Sequence, residues 1–115
     1  RGKYNQKLYE DMMQHVEDAR KLVDRSFPDF QEEMKKFELT QSLDFLLHIP
    51  TACMTRDNEL LQKTVKLVKN SKKEIKTNSY FDEKQRKNLK ILSAFPVKFV
   101  RQVHGMLMKI RHNEE

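Results

Sequence analysis

The chain is poor in the residues that punctuate sheets and build common catalytic loops. It has one cysteine, two glycines, three prolines and no tryptophan in 115 residues. A single cysteine, Cys53, excludes an intrachain disulfide, and with no Asn-x-Ser/Thr site a reducing, intracellular setting is expected. Gly2 and Gly105 are the only glycines, so no P-loop or dinucleotide-binding fingerprint can be written on this chain. Gly-x-Ser-x-Gly, His-Glu-x-x-His and paired Cys-x-x-Cys patterns are absent as well. No apolar run approaches the roughly 18 residues of a membrane span, so no span is expected. The scarcity of turn residues disfavours a sheet-rich fold before any periodicity is read.

What is present is charge and helical periodicity. Charged residues make up 35% of the chain and hydrophobic residues 37%, the latter clustered and periodic rather than dispersed, which argues against disorder. Residues 1–115 fit one domain by size. With Arg1 at its start and no signal-peptide profile, the sequence reads as a piece of a longer protein. The expectation is an all-α fold, a compact bundle or orthogonal array of about five to six helices.

The first helix is expected from Asn5 to Arg25, with Leu8, Met12, Val16, Ala19, Leu22 and Val23 as its apolar stripe. Ser26-Phe27-Pro28 breaks it, with Ser26 as a candidate N-cap. A short helix over Pro28–Glu38 would bury Phe30, Met34 and Phe37. The stripe then loses phase, which places a break near Thr40–Ser42 and a third helix to Ile49. That helix is apolar nearly all round, so it belongs at the centre. Asp57 is a candidate cap for a helix over Asn58–Lys76. Ser79-x-x-Asp82 resembles a capping box before a helix over Phe81–Ala94. Pro96 begins a last, central helix to His112 whose stripe includes Phe99, Val103, Met106 and Ile110.

Three constellations have the spacing of a site. Asp11, His15 and Asp18 project from one edge of the first helix, as groups sharing a metal or a proton would. A boundary histidine among surface carboxylates is the simpler reading. His48, His104 and His112 are isolated, and Cys53 has no base in its local sequence to activate it. No metal site and no cofactor are implied, and the chain is expected not to be an enzyme.

The largest signal outside the core is electrostatic. The net charge is +6, yet residues 1–58 hold nine Lys/Arg against eleven Asp/Glu, while residues 59–115 hold fourteen against six. Between Lys63 and Lys90 there are ten basic and three acidic residues. Lys63, Lys66, Lys69, Lys73 and Lys76 share one side of one expected helix, and Arg86, Lys87 and Lys90 extend the face onto the next. Such a face attracts an acidic peptide, nucleic acid or anionic lipid, or only water. Membrane-surface binding is disfavoured because the apolar arcs are needed to close the bundle. Lysine outnumbers arginine here, which argues against base-specific DNA reading. Tyr80 and Phe81 sit where they could stack on bases, but packing at the helix joint is the simpler role. Met13, Val65 and Met108 lie off the main stripes and are candidates for a groove with an apolar floor and a basic rim.

The general character, basic and cysteine-poor with one short helix after another, resembles that of small helical docking modules of transcription and chromatin factors. It is a likeness of fold level only. The leading expectation is a non-catalytic docking domain of a larger regulatory protein, with the nucleus favoured over the cytoplasm, binding a short acidic and hydrophobic partner segment. The alternative is a nucleic-acid-binding domain using the same face. A structural bundle that assembles with itself is the third reading.

Overall fold

A computed structural model describes residues 4–103. The first helix, α1, spans Gln6–Ser26 and is opened by Asn5, whose side-chain oxygen accepts a hydrogen bond from the Leu8 backbone N–H. A 3-10 turn over Pro28–Phe30 leads into α2, Gln31–His48. Pro50 and a second 3-10 turn, Thr51–Cys53, redirect the chain into α3, Glu59–Asn70. A turn at Ser71 separates α3 from α4, Lys72–Thr77, and α5 covers Glu83–Ala94. A further helix, α6, begins at residue 97 and continues to residue 103. Among the described residues there is no strand, and the all-α bundle of five to six helices stands.

The organising element is α2. It packs against α1 on one side and α3 and α5 on others, while α5 also contacts α3 and α4. Leu39, Phe45, Leu46 and Ile49 are almost fully buried and meet Val68, Ile75 and Leu89 from the second half of the chain. The Tyr9 ring from α1 closes on Phe45 at 5.3 Å. Burial over half a helix circumference, rather than along a stripe, is the condition of a helix with neighbours on several sides.

That central position corrects the reading of residues 28–49 as two helices with a break near Thr40–Ser42. One uninterrupted helix, Gln31–His48, runs through the expected break. The loss of phase there reflects a change of neighbours, not an end of the helix. Thr40 and Ser42 donate their hydroxyls to the carbonyls of Lys36 and Glu38, at 2.7 and 2.9 Å, so they are satisfied within the helical ladder.

The opposite correction applies to residues 58–76, expected as one helix. The turn at Ser71 divides it. The Ser71 hydroxyl donates to the Leu67 carbonyl at 2.7 Å, and its N–H bonds to Val68 in an i→i−3 step. This tightened turn lets α4 bend onto α5, with Ile75 buried.

Caps also differ from expectation. Asn58, not Asp57, caps α3, its side-chain oxygen accepting from the Leu61 N–H at 3.1 Å. The capping box before α5 is Asp82 with Gln85, not Ser79 with Asp82. Ser26 closes α1 instead of opening the next element. Several residues placed on buried stripes are exposed: Leu8, Leu22, Phe30, Phe37, Phe99 and Val103. On α1 the buried positions are Tyr9 and Val16, about one position out of phase with Leu8 and Leu22. On α6, Val97 is buried and Val100 packs partly against the core. The expected positions His104, Gly105, Met106, Met108, Ile110 and His112 lie outside the described residues.

Candidate docking surface

The lysine face follows from which residues of α3, α4 and α5 turn inward. Leu61, Thr64 and Val68 are buried, so the 100° step per residue turns Lys63, Lys66 and Lys69 outward. Ile75 anchors α4 and leaves Lys72, Lys73 and Lys76 exposed. Leu89 and Leu92 anchor α5, and Lys84, Lys87 and Lys90 are exposed. The ion pairs of the described residues join other groups: Lys7–Asp11, Arg20–Asp24, Arg20–Glu38, Lys35–Glu38 and His48–Asp44. All of them lie on α1 and α2. Among the described residues none of the lysines between positions 63 and 90 is in an ion pair, and Glu74, Asp82 and Glu83 offset their charge only in part, so α3, α4 and α5 carry a net positive field.

Arg86 departs from this pattern. Its guanidinium is turned inward, donating from Nη1 to the Ile75 and Lys76 carbonyls at 2.6 and 3.0 Å and from Nη2 to the Asn78 carbonyl at 2.7 Å. It also lies over the Phe81 ring, 5.8 Å from the centroid. Helix ends leave carbonyls without intrahelical partners, and here one planar fork serves the end of α4 and the loop beyond it. Arg86 is a joint of the scaffold rather than part of the exposed cationic face.

Two loops meet at the end of the bundle where α2 begins. The Glu32 carboxylate accepts from the Ser79 N–H at 2.6 Å and the Ser79 hydroxyl at 2.9 Å, and the Glu32 carbonyl accepts from the Asn78 amide at 2.8 Å. These bonds tie the loop after α4 to the start of α2. The Ser79 bonds stabilise the charged form of Glu32 and hold its pKa below the ordinary value. The segments that meet here carry three half-exposed aromatic rings: Phe27 at 49% and Phe30 at 50% ahead of α2, and Tyr80 at 53% beside Ser79. Phe27 and Phe30 meet edge to face, 6.2 Å between centroids. The Tyr80 hydroxyl has its pKa raised, chiefly by the negative charge of Glu33. Of the Tyr80–Phe81 pair, Phe81 packs the helix joint and Tyr80 faces solvent. These aromatics were missed as a group because they are far apart in sequence, on either side of a tertiary contact. The available signal was an aromatic residue in each of two turn-rich segments.

The expected groove residues do not assemble together. Met13 lines an open cleft of about 510 Å³ between α1 and α3, and Lys63 stands on its rim. Val65 is half-buried against the core, away from that cleft. Met108 lies outside the described residues. The rim is mainly carboxylate, with Glu10, Glu17 and Glu59, where a basic rim was expected.

The remaining candidates are placed without a shared centre. Asp11 pairs with Lys7 at 3.5 Å, Asp18 accepts from the Gln14 amide at 3.1 Å, and His15 is exposed. Among the described residues no three His, Cys, Asp or Glu side chains are arranged to hold a metal ion. His48 Nδ1 lies 2.7 Å from the Asp44 carbonyl oxygen. Cys53 is half-buried in the turn before α3, where its carbonyl accepts from the Asn58 amide at 3.0 Å. No helix of the described residues is long and apolar enough to cross a membrane. No protein-family model, no curated protein and no solved structure matches the chain.

Proposed function

We propose that this domain is a non-catalytic docking module of a larger regulatory protein of the nucleus, and that it binds a short partner segment combining acidic residues with hydrophobic anchors. The observation that carries the reading is the exposed lysine face of α3, α4 and α5, in no ion pair among the described residues, which leads through Lys76 into the loop that exposes Tyr80. Interfaces concentrate energy in aromatic anchors, while surrounding charge steers encounter and sets register. Phe27, Phe30 and Tyr80 supply such anchors on a junction held by the Glu32 hydrogen bonds, so little ordering is needed on binding. In this reading Lys66, Lys69, Lys73 and Lys76 attract the acidic residues, and Lys87 and Lys90 extend the same field.

The test is affinity capture with the folded domain, run with and without nuclease. Captured protein should survive nuclease. It should be lost with the K66E/K69E/K73E variant, and reduced with Tyr80→Ser, while circular dichroism stays unchanged. Equal capture by the triple variant would remove the electrostatic part of the reading. Capture that vanishes with nuclease, with a steep loss of RNA or DNA affinity between low and physiological salt, would replace it by nucleic-acid binding.

A further inference from the structure

We infer that the cleft between α1 and α3 is a second docking site, of opposite sign, which accepts a short amphipathic partner helix with a cationic polar face. The inference is independent of what the lysine face binds. Both helices rest on α2 rather than mainly on each other, so a trough remains between them. Its floor is apolar, with Val16 buried and Met13, Leu60 and Leu67 half-buried beneath about 510 Å³ of open volume. A helix laid over two neighbouring helices is a recurring recognition mode, with i, i+3, i+4 and i+7 side chains entering the groove.

The rim charge selects the partner's polar face. Glu10 and Glu17 stand on α1 and Glu59 on α3. A second hollow shares Glu10, Glu59 and Leu60 and adds Asp57, so the acidic border continues past the start of α3. The cations nearby do not offset it equally. Arg20 is committed to Glu38, which also takes Lys35. Lys63 is the one rim cation outside an ion pair among the described residues. The carboxylates are dispersed rather than converging on a metal-sized point. Their spacing suits charges distributed along a helix: Glu10 to Glu17 spans about 10 Å at 1.5 Å per residue, roughly two turns of a bound helix. On a chain of net charge +6, this is a local acidic border around an apolar floor, complementary to a basic segment.

The probe is a fluorescein-labelled helical peptide with leucines at i, i+3, i+4 and i+7 and lysines on its other face. A twin carries glutamate in place of each lysine. Anisotropy titrations at physiological salt, where charges beyond about 8 Å are screened, compare the two on the whole chain. The lysine peptide should bind at least about tenfold more tightly than its twin. E10K/E17K/E59K should weaken it by about tenfold or more, and Lys63→Glu should tighten it severalfold. K73E/K87E/K90E, on α4 and α5 and away from the cleft lining, should leave its affinity within about twofold. Amide shifts in nuclear magnetic resonance spectra should concentrate on residues 10–20 and 57–67. Equal affinity of the twins, absence of binding, or shifts elsewhere would overturn the assignment. The twin comparison needs no variant, so it decides the matter even where a triple substitution fails to fold.

Discussion

Arg20 holds Glu38 across the α1–α2 interface through two nearly parallel hydrogen bonds, Nε to Oε2 at 3.1 Å and Nη2 to Oε1 at 3.2 Å. Glu38 is only 8% exposed, and Lys35 adds a third contact at 3.2 Å. A carboxylate this buried is tolerable because it is paired on both oxygens. Arg20→Ala should destabilise the domain by about 1–3 kcal/mol, since Glu38 would keep only the lysine. The R20A/E38A double variant should lose less than the two single losses combined, because no buried charge is left unpaired. Urea midpoints of the three variants check this.

Arg86 gives a second prediction. Its fork serves carbonyls at the end of α4 and in the following loop, which a lysine cannot reproduce from one point charge. Arg86→Lys should therefore cost about 1–2 kcal/mol. It should also raise amide exchange in residues 75–81 more than in α1. Uniform exchange changes, or no loss of stability, would contradict the capping role.

The α3 cap separates two neighbouring residues. Asn58 caps through Oδ1 and donates from Nδ2 to the Cys53 carbonyl, so Asn58→Ala should cost about 1–2 kcal/mol. Asp57→Ala should change stability by less than about 0.5 kcal/mol, as an exposed position outside the cap usually does. Thermal melts of the two variants, compared in the same buffer, distinguish them.

Acidification probes the loop junction. The pKa of Glu32 is lowered in the folded protein by the Ser79 N–H and hydroxyl, from an ordinary value of 4.5. A depressed folded pKa means that the contribution is complete above the unfolded value and is lost as pH falls through the folded one. The urea midpoint should thus drop below about pH 4.5, and part of that drop should be missing in Glu32→Gln. Asp57, also lowered by its bond to Thr55, remains in that variant, so the difference between the two profiles isolates Glu32.

Much of the architecture was legible before the fold was seen. The breaks at Ser26-Phe27-Pro28 and Pro50 were readable because proline restricts the backbone locally and needs no tertiary partner. The helix borders near Asn5 and Ala94 followed from periodicity. The centrality of residues 43–49 also followed from an apolar circumference that no surface helix tolerates. The errors lie where local signals were ambiguous. Thr40 and Ser42 look like a break in one dimension, but they bond back to the helix when both sides of it are covered. Ser71 sits in a run of good helix formers, and its turn exists because α4 gains contacts with α5.

The candidate surfaces divide in the same way. Composition and the 3.6-residue period determined an all-helical chain and an outward lysine face, since charged side chains opposite a buried stripe have nowhere else to go. Tertiary structure alone decided that Arg86 turns inward to α4, that the Ser79–Tyr80 loop meets Glu32 and Glu33 at the start of α2, and that Met13 meets a carboxylate rim. Those outcomes depend on residues tens of positions apart arriving together. A one-dimensional pattern records which way a side chain faces on its own helix, but not what the neighbouring helix brings to meet it.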